Sequence, residues 1–284
     1  MANEKVVLIT GATGKQGGAT ARALAGRGFR LHAMTRNPEG DAAKTVASHT
    51  GAEVVQGDLD DAASLRNALK GVWGVFAVQN TWESGVQGEE EQGKRLASLA
   101  KEAGVQHYVY TSVGSAHRKT GIPHFDNKYR VEETIRAAGF PSHVIFRPVF
   151  FMENLISPWF LNGDTLYAAM RPDLRLQMIS TDDIGKYVAH GFTNADKLNR
   201  REIDLAADEV TIPDAAMALS RGLGRNISYA QIPISEVRKN SEDFALMLEW
   251  FDRVGYNVDI PSLEREFGIK GTKLAEWAAK QSSS

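Results

Sequence analysis

The residues best suited to chemistry begin with Gly11-Ala12-Thr13-Gly14-Lys15-Gln16-Gly17, set between an apolar run and an Ala- and Leu-rich stretch. Glycines three apart permit a sharp strand-to-helix turn and let backbone N–H groups approach a pyrophosphate, whose charge a helix N-terminus favours. Gly11, Thr13, Gly14, Lys15, Gln16 and Gly17 are therefore candidate dinucleotide contacts. The second apolar run ends Thr35-Arg36-Asn37, without the carboxylate that takes the ribose 2′-hydroxyl in NAD binders. Arg36 offers a planar fork for a 2′-phosphate and Lys15 a second cation on the same side, so NADP(H) is expected over NAD(H). The competing reading makes both residues solvated surface cations. Asp58, in Gly57-Asp58-Leu59-Asp60, either accepts from an adenine amino group, with Leu59 over the ring, or caps the next helix. Residues 77–81, with Gln79, Asn80 and Thr81 among them, follow the fourth apolar run. They should line the cofactor path, because ligands sit beyond the carboxyl ends of such strands.

Positioning these residues requires a scaffold, and the chain alternates two periodicities that build one. Short runs rich in Val, Ile, Phe and Tyr at 5–10, 30–35, 53–56, 72–78, 107–111 and 142–147 read as strands. Stretches of helical spacing lie between them at 16–26, 40–49, 64–69, 89–103 and 127–138. Strand alternating with helix implies parallel crossovers, hence an α/β fold with a Rossmann-type doubly wound sheet over residues 1–150. After Arg147-Pro148 the rhythm breaks, and residues 151–284 are expected to form a smaller, interleaved α/β domain, with segments near 175–207 returning to the first. There the pattern predicts a helix-like 155–160, a turn at Asn162-Gly163-Asp164 and strands at 175–179, 202–206 and 227–232. Helices are expected at 184–192, from about Pro213 to Gly222, around 242–251 and around 273–279, and the serines at 282–284 read as disordered.

Composition removes several classes. With 33 Lys and Arg against 35 Asp and Glu, the net charge of −2 argues against nucleic acid as the main ligand. No cysteine is present, which excludes thiol catalysis, thiolate metal sites and disulfides. His107 and His117 lack partners at metal-ligand spacing, and Glu89-Glu90-Glu91 reads as a charge run suited to a helix start, so no metal is expected. The apolar runs fall far short of the roughly 20 residues that span a bilayer. The opening Met-Ala-Asn-Glu-Lys leaves no room for a signal peptide, and a cytoplasmic protein, monomeric or oligomeric, is expected.

Taken together, several motifs resemble the NmrA-like family, a branch of the atypical short-chain dehydrogenases/reductases, and its HSCARG-type members most. They are the glycine loop, Thr35-Arg36-Asn37-Pro38, Gly57-Asp58, His124-Phe125-Asp126-x-Lys128 and Arg147-Pro148-x-x-Phe151-x-Glu153-Asn154. Ser180-Thr-Asp-Asp-Ile-Gly185 is similar to the segment by which that family returns to its nucleotide domain. The resemblance covers nearly the whole chain. It implies a cleft between a Rossmann domain and a smaller domain, and it adds Phe151 and Asn154 to the cofactor contacts. It also implies two kinds of function, since members include dinucleotide-binding regulators or redox sensors as well as quinone, triphenylmethane and isoflavone-type reductases.

Typical short-chain dehydrogenases use Ser, Tyr and Lys, with the tyrosine four residues before the lysine. Lys128 fits the lysine and Ser112 the serine, with Ser115 nearby, but His124 stands where the tyrosine would be. Tyr129 follows Lys128 and so points about 100° away on a helix. Lys128 is the expected anchor of the nicotinamide ribose, and His124 is either a proton donor or a structural hydrogen-bonding residue. Asp126 reads as local structure. Asn80, Thr81 and Trp82, with Phe150, Phe151, Met152 and Trp159, are expected on the substrate side, where an aromatic pocket suits a flat hydrophobic acceptor such as a quinone, carbonyl, imine or enone. For Phe150 and Met152 plain interdomain core is the favoured reading. An NADPH-dependent reductase is the favoured reading. The alternative is an NADP(H)-sensing regulator with a protein partner and no turnover. A degenerate, purely structural protein is disfavoured by the intact loop and Arg36.

Overall fold

The computed structural model describes residues 4–282, so the readings of the first three residues and of Ser283 and Ser284 lie outside it. In chain order the first half contains β1 (Lys5–Ile9), α1 (Lys15–Leu24), β2 (Phe29–Thr35), α2 (Asp41–Thr50), β3 (Glu53–Gln56) and α3 (Ala62–Ala68). It continues with β4 (Gly74–Ala77), α4 (Thr81–Glu102), β5 (His107–Thr111), α5 (Pro123–Ala138) and β6 (Ser142–Pro148). Then come β7 (Phe150–Phe151), β8 (Leu161–Asn162), β9 (Thr165–Ala168), β10 (Leu176–Ile179), α6 (Thr181–Thr193), β11 (Arg201–Leu205) and β12 (Asp208–Val210). The chain ends with α7 (Ile212–Leu223), β13 (Ser228–Gln231), α8 (Ile234–Asn240), α9 (Glu242–Arg253), α10 (Ile260–Phe267) and α11 (Leu274–Gln281).

Seven strands form one parallel sheet in the order β11-β6-β5-β4-β1-β2-β3. Its central strands bury alternate residues against opposite helix layers. Val7, Ile9, Phe76, Val109 and Phe146 share one core with Leu24 of α1 and Ile184 and Val188 of α6. Leu8, Val75, Tyr108, Tyr110 and Ile145 share the other with Leu65 of α3, Leu96 of α4 and Val131 of α5. Strand order reverses between β1 and β4, the crevice where such folds bind ligands. Thr10 pins that crevice, its hydroxyl accepting from the Val78 N–H at 2.9 Å and donating to the Val78 carbonyl at 3.1 Å.

After β6 the chain leaves this sheet for two small ones, β12-β10-β7 and β13-β9-β8, and re-enters it at β11. Gly163, at φ +56°, turns the β8–β9 hairpin, where the sequence has its Asn-Gly-Asp. The return brings α6 against α1 so closely that a Cβ on Gly185 would stand 2.6 Å from the Ala19 carbonyl oxygen. Ser180 caps α6 through the Asp183 N–H at 3.2 Å. No helix among the described residues is long and apolar enough to cross a membrane.

Several boundaries differ from the sequence reading for local reasons. Residues 152–154 form a single 3₁₀ turn and no helix follows through 160, since Pro158 interrupts the stretch. α4 begins eight residues earlier than its Leu- and Ala-rich part suggests, because Asn80 caps it through the Trp82 N–H at 3.1 Å. α5 likewise starts at Pro123, which suits a first helical position.

Candidate functional site

The glycine loop joins β1 to α1 as expected. Gly11 sits at φ +57°, and the Gly14 N–H donates to its carbonyl at 2.9 Å. A Cβ on Gly17 would lie 2.1 Å from that same carbonyl oxygen, so the approach of α1 to the loop requires glycine. α1 has no side-chain cap and no acidic residue in its first turn, which leaves its N-terminal N–H groups for an anion. Thr13, Gly14 and Lys15 are exposed around it, and Gln16 is half-buried with an Oε1 that has no partner among the described residues.

Two further candidates at strand ends carry orphaned polar groups. Among the described residues, Gln79, after β4, is buried with neither amide atom hydrogen-bonded, and the hydroxyl of Ser112, after β5, is buried without a partner. Buried polar groups are ordinarily satisfied, so such atoms beside an uncapped helix and a glycine cradle fit a bound dinucleotide. Asp58 is half-buried, and its Oδ1 closes a turn on the Asp60 N–H at 2.9 Å. The cap of α3 is Asp61, which accepts from the Ala63 N–H at 2.8 Å, so the capping alternative for Asp58 is corrected. Leu59 is half-buried against the second core.

Lys128 lies on α5 with its side chain 12% exposed and its Nζ 2.7 Å from Glu89 Oε1. Glu89 is buried, accepting also from the Asn127 amide at 2.9 Å and from the Thr81 hydroxyl. Burial pushes its carboxyl up, but the adjacent Lys128 ammonium and the hydrogen bonds from Lys128, Thr81 and Asn127 outweigh that and hold it below the usual range. Glu89-Glu90-Glu91 follow the Gly85 break in α4 by about one turn, so they stand near a helix start, but Glu89 is not part of a solvated run. These residues lie inside α4, where Glu89 faces the core, Glu90 pairs with Lys94 and Arg130, and Glu91 is solvated.

His124 is buried in the first turn of α5, its Nδ1 2.5 Å from Asp243 Oδ2, while its backbone N–H donates to Asp243 Oδ1 at 3.1 Å. Its ring lies 5.5 Å from that of Trp82 and 4.8 Å from that of Phe125. Trp82 and Trp159 are more than half exposed, 5.9 Å apart, and both meet Phe244 of α9. Phe150 and Met152 are buried in the core, Phe151 and Asn154 half-buried, and Glu153 accepts from the Thr181 N–H at the start of α6. Arg147 serves structure. Its buried guanidinium pairs with Glu132, Glu202 and Asp204, and Asp204 in turn accepts from the Ser115 N–H at 2.9 Å, fixing the loop after β5.

Neither tyrosine beside Lys128 replaces the missing one. Tyr129 stacks under Arg136, and Tyr110, whose ring centroid is 6.0 Å from Lys128 Nζ, is fully buried. Burial, reinforced by the charges of Glu89 and Glu132, raises the Tyr110 phenol well above its ordinary value. Asp126 accepts from Thr120 at 3.2 Å, a local contact.

One turn gathers the candidates. Thr81, Trp82 and Glu83 open α4, and in succession they bind the Lys128 partner Glu89, pack against His124 and pair with Arg36. Sequence reasoning missed Glu83, Glu89, Asp243 and Phe244. Glu89 and Asp243 carried no signal beyond being acidic residues on helices, since their partners lie far away in the chain.

The sequence model of the NmrA-like family matches residues 3–282. The nitrogen metabolite repression protein nmr of Neurospora crassa is 27% identical over 285 residues, covering 87% of this chain and 58% of that longer protein. The crystal structure of NmrA, a negative transcriptional regulator, in complex with NAD superposes with a TM-score of 0.80 at 22% identity, over 98% of this chain and 95% of that one. The NADPH-dependent quinone oxidoreductase of Escherichia coli, crystallised with NADPH, superposes with a TM-score of 0.77 at 24% identity, over 97% and 99%. With the glycine cradle, the seven-stranded parallel sheet and a family match across nearly its whole length, the chain belongs to the NmrA-like family.

Proposed function

We propose that the protein is an NADPH-dependent reductase of small, flat, hydrophobic acceptors. The observation that carries this reading is the placement of His124, held by Asp243, among the exposed rings of Trp82 and Trp159 and beside the turn that also contacts Glu89 and Arg36. NADP(H) would be held by Gly11, Thr13, Gly14, Gln16 and Gly17 at the pyrophosphate and by Arg36, with Lys15 on the same side, at the 2′-phosphate. Asp58 and Leu59 would hold the adenine, and Gln79, Asn80, Thr81, Ser112, Lys128, Phe151 and Asn154 would line the path to the nicotinamide. Bound there, the reduced cofactor supplies hydride. Lys128, held in place by Glu89 at 2.7 Å, orients the ribose. The Asp243 carboxylate, 2.5 Å from His124 Nδ1, fixes the orientation of the ring, which leaves Nε2 to pass a proton to the acceptor. Trp82 and Trp159 cover the acceptor's faces and exclude water. Residues 151–284 would form the acceptor lobe, apart from the segments near 175–207 that return to the nucleotide domain.

Steady-state NADPH oxidation with quinones, enones, imines and aldehydes tests this. Turnover is expected with at least one class, with His124→Ala lowering kcat about 100-fold and Lys128→Ala raising the KM for NADPH. A regulator that binds NADP(H) and a protein partner without turnover is the second reading, favoured by the histidine at the tyrosine position. Tight NADPH binding by calorimetry with no turnover across the panel would select it.

A further inference from the structure

We propose that Glu83 occupies the 2′-phosphate site of Arg36 in the free protein, and that the turn carrying it is a latch released by NADP(H) but not by NAD(H). The inference rests on the reading of Arg36 as the 2′-phosphate ligand. Arg36, at the tip of β2, and Glu83, in the first turn of α4, form an ion pair across the carboxyl end of the sheet. Their side chains are 65% and 52% exposed. Such a pair is weak, and a 2′-phosphate with nearly two charges and three acceptor oxygens outcompetes a single carboxylate for the same guanidinium. The uncharged 2′-hydroxyl of NAD(H) has no such advantage. Glu83 therefore sets how strongly the site distinguishes the two dinucleotides.

The turn is built to move as a unit. Gly85, at φ +74° and ψ 169°, breaks the helix immediately after it in a conformation that favours glycine, and a Cβ there would meet nothing within 4 Å. At its other end Thr81 is tied to buried Glu89. Between those two points stand Glu83 and its neighbour Trp82, whose exposed ring contacts Trp159, His124 and Phe244 at centroid distances of 5.9, 5.5 and 6.0 Å. One peptide bond thus links the Arg36 pair to the aromatic cluster. Displacement of Glu83 by a 2′-phosphate swings Trp82 off Trp159 and His124 and opens the face that takes a flat acceptor. The protein reads which dinucleotide it holds at one end of the turn and admits the acceptor at the other.

Calorimetric titration with NADP⁺ and with NAD⁺, on the wild type, Glu83→Gln and Arg36→Gln, tests the latch. Removing the competitor should tighten NADP⁺ about fivefold in Glu83→Gln, with NAD⁺ changed less than about twofold. Trp82 emission, taken as the difference between the wild type and Trp82→Phe, should respond to NADP⁺ and not to NAD⁺. In Glu83→Gln it should already resemble the NADP⁺-bound state. If Arg36→Gln weakens NADP⁺ selectively while Glu83→Gln changes neither affinity, the latch is wrong and the 2′-phosphate reading survives. If Arg36→Gln leaves the ratio of the two affinities unchanged, both fail. Equal Trp82 responses to the two dinucleotides also overturn it.

Discussion

At the scale of single residues, the turn from β1 into α1 depends on Gly17, over which the Gly11 carbonyl closes. Gly17 was identifiable from spacing because the constraint is local: its Cβ would strike the Gly11 carbonyl six residues back. Gly17→Ala should destabilise the fold by about 2 kcal/mol or more in urea unfolding and weaken NADP⁺ by over tenfold in calorimetry. Gly14→Ala, whose Cβ meets the same oxygen at 3.3 Å, should do far less. Equal effects from the two would remove the cradle argument. Glu89 shows the converse. In sequence it is one of three adjacent glutamates, and only the packing of α4 on α5 selects it to face Lys128 in the core.

At the scale of elements, helices with an apolar face announced themselves, and their first turns did not. Asn80 to Gly88 is mostly polar and glycine-containing, so the pattern starts α4 at Glu89, yet the turn before it carries Thr81, Trp82 and Glu83. The first turn of α5 was equally hidden and holds His124 against Asp243 in the first turn of α9. Two helix N-termini from distant parts of the chain therefore share one carboxylate. A double-mutant cycle of His124→Ala and Asp243→Ala, read by urea unfolding, should give a coupling of about 1 kcal/mol or more. Additive effects would mean that α5 and α9 do not meet through this pair. α8 and β12 escaped the sequence reading because α8 buries none of its residues and β12 is only three residues long, while α10 escaped it although Leu263 and Phe267 give it a buried face.

At the scale of the whole molecule, the seven-stranded sheet is completed by β11, more than fifty residues after β6, and this late closure buries groups that titrate. His107 on β5 packs against Trp73 and Phe192 of α6, with Nδ1 2.9 Å from the Ser142 hydroxyl. Burial lowers its pKa from 6.5 to about 4. The unfolded chain therefore binds a proton below about pH 6.5 that the folded protein refuses until about pH 4. Stability from this residue is complete above pH 6.5, falls as the pH drops through that window, and changes no further below it, a loss of about 3 kcal/mol. His32, His143 and His190 are also lowered by burial and act in the same direction. Urea midpoints from pH 7.5 to 4 should fall less steeply in His107→Gln than in the wild type, and parallel curves would show that His107 is not the group responsible.

The sequence by itself determined what is local or periodic. That includes the glycine turn, the parallel order implied by strand–helix alternation, the cation at the tip of β2 and the absence of any thiol. A backbone that must turn within seven residues, or a strand covered on both faces, leaves its requirement in adjacent letters. The tertiary structure alone decided which charges meet. It put Glu83 on Arg36, Glu89 on Lys128 and Asp243 on His124, because each pair is brought together by packing between elements whose separation along the chain bears no relation to their distance in space.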